Sequence, residues 1–121
     1  MIKEYHKWKI GQINVQSCSD DVRLHVILQE CRRANLDIIC IQDVRRLNTG
    51  CLKHLGYSFY WSGLQRIRRH GVGIAIRDNC KITINGIINS GARLMAADLT
   101  VRGCKLRVIS CYAPTLKTAP D

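Results

Sequence analysis

Apolar and polar residues alternate through Lys9–Gln16 (KIGQINVQ), with Ile13 and Val15 on one face and Gln12, Asn14 and Gln16 on the other. A period of two predicts a strand. Ser17–Asp21 is rich in capping side chains, and Ser19 or Asp20 can accept from the first amides of a helix. From Asp21 to about Ala34 the period changes: Leu24, Ile27, Leu28 and Cys31 recur at helical spacing and predict an amphipathic helix. Asp37–Gln42 (DIICIQ) is a continuous apolar run, as in a strand buried on both faces. Residues 43–55 read as a polar, basic connection. Gly56–Trp61, Val72–Arg77, Ile82–Ile88, Leu94–Val101 and Lys105–Tyr112 read as further strands, with Ser62–His70 a loop carrying RIRRH. Arg102-Gly103 signals a tight hairpin, and Ala113-Pro114 ends the last strand because proline cannot continue the ladder.

The order strand, helix, strand, then a run of strands predicts one α/β domain over 1–121, a mixed sheet with a right-handed βαβ crossover followed by a meander. The 121-residue length suits one domain, with no internal repeat or linker. No apolar run approaches the ~20 residues of a membrane span, and MIKEYHKWK lacks a signal-peptide core. Seven cysteines, an odd count, argue against a secreted disulfide framework. The expectation is an intracellular protein. Cys51-x-x-His54 is a single weak zinc half-site, and His6, His25 and His54 show no partner pattern.

Charge changes this picture. Nineteen Lys and Arg against nine Asp and Glu leave +10, and residues 44–81 hold eight basic side chains against Asp78 alone. A clustered, arginine-rich excess is the footprint of a polyanion binder, and it singles out Arg45, Arg46, Arg66, Arg68, Arg69 and the adjoining His70 for nucleic acid.

Parallel strands of a βαβ unit end at one sheet edge, where open α/β sheets place their sites. Asn14 lies near the end of the first strand, Asp43 directly follows the second, and Tyr112 closes the last. Two readings stand for each. Asn14 caps a turn, or orients a ligand. Asp43 forms a local ion pair with the following arginines, or is a hard oxygen ligand for Mg²⁺ bordered by phosphate-holding guanidiniums. Tyr112 is a core aromatic, or a third polar tip. His70 is an ordinary loop histidine, or a general acid–base. The glycines of His70-Gly71-Val72-Gly73 precede a strand, so they admit close backbone approach and form no dinucleotide fingerprint.

IGQINVQS (10–17), DIICIQDVRR (37–46), YSFYWSG (57–63), HGVGIAIR (70–77) and LRVISCYAPT (106–115) together resemble endonuclease/exonuclease/phosphatase domains. The likeness is to the apurinic-type endonucleases of non-LTR retrotransposons, especially RTE-like members, craniofacial development protein-like copies among them. It implies the N-terminal half of a four-layered αββα sandwich and Mg²⁺- or Mn²⁺-dependent cleavage of DNA, in the nucleus. Asn14 matches the asparagine near the scissile phosphate, Asp43 the metal-binding glutamate, and Tyr112 the tyrosine of Y-x-P that contacts phosphate. Asp43 is one methylene shorter than glutamate, reaching about 1.5 Å less far. No counterpart of the family's D-x-N and S-D-H segments occurs in the sequence.

The resemblance therefore implies a truncated endonuclease domain, inactive or partial as it stands and holding its metal weakly. Two rivals share the pattern: a non-catalytic, basic nucleic-acid-binding module, and the same fold acting on lipid or inositol phosphates. A half-domain also implies an exposed apolar sheet face, and self-association through it.

Overall fold

The computed structural model describes residues 7–79 and 81–113. The Pro114 strand stop, Thr115, His6 and Cys80 lie outside the described residues. The fold is α/β, and the described residues form one helix and eight strands in two sheets.

Strand β1 (Ile10–Asn14) pairs in parallel with β2 (Ile38–Gln42), and helix α1 (Asp21–Arg33) is the crossover between them. Asp20 caps α1: its carboxylate accepts from the Arg23 amide at 2.8 Å, satisfying one of the orphan donors of the first turn. Arg32 and Arg33 sit in the last turn, complementing the helix dipole. The apolar stripe read from the sequence is the buried one: Leu24, Ile27, Leu28 and Cys31 pack on Ile39, Ile41, Phe59 and Ala75.

Strands β3 (Thr49–His54), β4 (Tyr57–Ser62) and β5 (Val72–Arg77) complete the first sheet in the order β1-β2-β5-β4-β3, antiparallel beyond β2. The basic connection expected over 43–55 thus contains a strand. Strands β6 (Ile82–Asn89), β7 (Leu94–Val101) and β8 (Cys104–Cys111) form a separate antiparallel meander. The β7–β8 hairpin turns on Arg102 and Gly103, both at positive φ (+48° and +80°), the geometry of a primed two-residue turn.

The two sheets face one another. Ile38, Cys40, Val72, Ile74 and Ile76 from the first meet Met95, Ala97, Leu99, Val101 and Val108 from the second in a second apolar core. This corrects the expectation of an exposed apolar face opposite the helix. That face is covered, because β6–β8 supply their own layer within this chain. Of the exposed apolar side chains of the second sheet, Ile88, Leu94 and Ile109 are on its outward side.

Candidate functional site

Where β1, β2 and β4 end and β3 and β5 begin, the loops continue pairing beyond the strands. The amides of Val15, Ser17 and Cys18 donate to the carbonyls of Gln42, Asp43 and Val44 at 2.8–3.1 Å. On the other side Val44 and Arg45 donate to Gly71 and His70, at 3.0 and 2.7 Å. The second sheet joins this rim. Gly71 donates to Ala92, the Ser62 hydroxyl donates to the Gly91 carbonyl at 2.6 Å, and Tyr112 donates to Arg93. Gln42 reaches the Ser110 hydroxyl at 3.3 Å, fixing the end of β8 beside the end of β2.

These loops enclose a cleft of about 450 Å³, lined by Asp43, Arg45, Ile67, Arg68, Arg69, His70 and Tyr112. Asp43 is buried at φ +60°. Both its carboxylate oxygens accept from Arg45, at 2.9 and 3.0 Å, a bidentate pair that raises the Arg45 pKa further above its ordinary value. The ion-pair reading of Asp43 is thus present in the structure. His70, read as an ordinary loop histidine or a general acid–base, is buried at φ +60°, its ring 5.6 Å from that of Tyr112. Tyr112 is half-buried, with the Arg93 guanidinium 5.9 Å from the ring centroid. Arg93 carried no sequence signal, since it follows an ordinary turn between strands. Arg68 and Arg69 are exposed on the cleft wall.

Other candidates sit elsewhere. Asn14 pairs in register with Gln42, next to Asp43, but is outside the cleft lining. Its Oδ1 accepts from the Gln16 amide at 3.2 Å, the turn-capping reading. Arg66 is exposed and also outside the lining.

Arg46 is corrected outright. Its side chain is buried, donating to the Cys18 carbonyl and to Asp21, each at 2.8 Å, and it lies 5.0 Å from the Trp61 ring centroid and 5.6 Å from that of Phe59. It holds the loop after β1 to the start of α1 and cannot reach a polyanion.

A Mg²⁺ ion needs near-octahedral oxygen ligands at ~2.0–2.1 Å. Among the described residues no three His, Cys, Asp or Glu side chains cluster to hold a metal. One carboxylate, with both oxygens on Arg45, does not fit a resident Mg²⁺ site. What the cleft offers chemically is cationic and hydrogen-bonding groups around a neutralised acid, suited to a phosphate oxyanion.

No helix of the described residues is long and apolar enough to cross a membrane. No family model matches the chain. Over 106 residues, 88% of its length, it is 31% identical to craniofacial development protein 2 of Bos taurus and 30% identical to that of Tragulus javanicus. The chain spans only 18% of the length of either relative. Most of this chain is therefore homologous to one segment of craniofacial development protein 2, in keeping with the likeness to craniofacial development protein-like copies read from its motifs.

Proposed function

We propose that this chain grips the phosphodiester backbone of DNA in the cleft, as the phosphate-holding portion of an endonuclease/exonuclease/phosphatase-type domain of retrotransposon origin. The observation that carries the reading is the cleft lining: Arg68, Arg69, His70 and Tyr112 gathered round an acid that Arg45 already neutralises. A phosphate entering this space meets donors on several sides, and the one carboxylate present is paired. The net charge of +10 draws polyanions to it at long range. Mg²⁺-dependent nicking, the activity the motifs imply, needs a nucleophile activator and further metal ligands. We assign it to a longer protein in which this segment is one part, acting in the nucleus.

Duplex DNA binding, followed by fluorescence anisotropy across a salt series, tests this. Each neutralised phosphate contributes about −0.9 to the slope of log K against log salt. Arg68→Ala/Arg69→Ala should flatten that slope by about two units if both touch phosphate, with the fold unchanged by circular dichroism. Binding that ignores salt, or that survives the double substitution, would remove the cleft from DNA recognition. Competition by soluble inositol phosphates at lower concentration than DNA phosphate would instead favour a small phosphate ester. Plasmid nicking with Mg²⁺ against EDTA should be negligible. Metal-dependent nicking by this chain alone would overturn the assignment of turnover to a longer protein.

A further inference from the structure

Away from the cleft, His25 on α1 and His54 at the end of the edge strand β3 meet nitrogen to nitrogen. His25 Nδ1 lies 2.7 Å from His54 Nε2, with ring centroids 5.0 Å apart and planes tilted by 56°. Both rings are half-buried, so the junction is packed but open to solvent. We propose that this pair is a two-histidine site for a borderline divalent transition-metal ion, Zn²⁺ or Ni²⁺, which ties α1 to β3.

At this distance the two facing nitrogens form a hydrogen bond whose donor depends on the tautomer. Neutral imidazole has a second tautomer. With His25 protonated on Nε2 and His54 on Nδ1, both facing nitrogens present lone pairs. Two cis ligands at ~2.0–2.1 Å from one ion stand roughly 2.9–3.3 Å apart. The nitrogens therefore need to separate by only a few tenths of an ångström, while each half-buried ring turns so that its lone pair meets the ion off the line between them. Imidazole nitrogens suit Zn²⁺, Ni²⁺ and Cu²⁺, whereas Mg²⁺ and Ca²⁺ prefer oxygen. Water completes the coordination, since no third His, Cys, Asp or Glu clusters here among the described residues. The two ligands are 29 positions apart in sequence and come from different layers. The folded chain alone presents them together, so an ion bound here stabilises the fold.

Thermal unfolding of the chain with Ni²⁺, Zn²⁺ or Mg²⁺ reads this directly. Ni²⁺ and Zn²⁺ at ten times the dissociation constant should raise Tm by roughly 4–8 °C, and Mg²⁺ should not. His25→Ala and His54→Ala should each abolish the ion-dependent rise, read within each variant so that its own basal stability does not enter. In the unsubstituted chain, ring ¹⁵N resonances of His25 Nδ1 and His54 Nε2 should shift with Zn²⁺ while those of His70 stay put. An absent rise overturns the proposal. So does a rise kept in both variants, which would assign the ion to the exposed thiols of Cys51, Cys104 or Cys111.

Discussion

Replacing Arg46 separates structural charge from binding charge. Its guanidinium donates a charged hydrogen bond to the buried Cys18 carbonyl, worth about 1.5–3 kcal/mol. Its contacts with Trp61 and Phe59 add about 0.5–2 kcal/mol. The ion pair with Asp21 adds little, because Asp21 is 82% exposed and water replaces its partner. Release of the guanidinium from its partly desolvated position offsets some of this. The net loss for Arg46→Ala is about 2–4 kcal/mol. Against a total of about 6–18 kcal/mol for a chain of this length, that is a large fraction. At a urea slope of about 1.5 kcal/mol/M the midpoint should fall by about 1.3–2.7 M. Arg46→Lys keeps the charge but loses the planar fork and the ring contacts, so it should recover less than half of the loss. The DNA salt slope, measured well below the unfolding transition, should not change in either variant. A full rescue by lysine, or an Arg46→Ala chain of unchanged stability with a flatter salt slope, would refute the structural assignment.

Burial pushes the Cys18 thiol up to about 11 from an ordinary 9.0, against the pull of Arg46; a raised folded-state pKa gives stability that is complete below pH 9 and lost as pH climbs towards 11. Urea titrations should therefore show the parent losing about 2–3 kcal/mol more than Cys18→Ala across that window. Gly63 packs where an added Cβ would overlap the Arg46 carbonyl oxygen, a backbone atom with no freedom to yield. Gly63→Ala should cost at least about 2 kcal/mol, while Gly86→Ala, with open space around its Cβ, should be near neutral in the same assay.

The helix and its inward stripe were legible because a 3.6-residue period is a strong local signal over four turns, and Asp20 announced its start. Strand β3 was hidden. TGCLKH alternates, but its inward positions are Gly50, Leu52 and His54, so the contrast between faces is weak. The division of strands between two sheets has no local signature at all. It is settled by which apolar faces meet, Ile74 and Ile76 against Met95 and Leu99, far apart in sequence. The cleft was legible in part. Asp43 and Tyr112 were marked by their places at strand ends, and both line it. Arg45 and Arg46 looked alike in sequence, but adjacent residues point differently: one caps Asp43 at the rim, the other is drawn into the core by a carbonyl and two aromatic rings. His25 and His54 lacked any shared motif because their meeting depends on how α1 lies over the first sheet.

Backbone conformation gives the rim a character that composition cannot. Nine non-glycine residues of the described chain have positive φ, and six of them, Gln16, Ser17, Asp43, Arg45, Asn48 and His70, stand in the loops at this one edge. Each left-handed non-glycine residue costs about 1–2 kcal/mol, somewhat less for Asp, Asn and His. Such strain persists only where the surroundings over-determine it. Here the surroundings are the extended pairing from Val15 through Val44 to Gly71 and Ala92, which satisfies the loop amides in turn. At Asp43 the conformation carries the backbone round so that its carbonyl accepts from Ser17 while its carboxylate meets Arg45. A relaxed, extended Asp43 would continue β2 and break both contacts. The strain at this edge is therefore coupled to the geometry of the cleft. A loop evolved only to connect strands would have no reason to retain it, and this supports the proposal that phosphate is recognised at this edge.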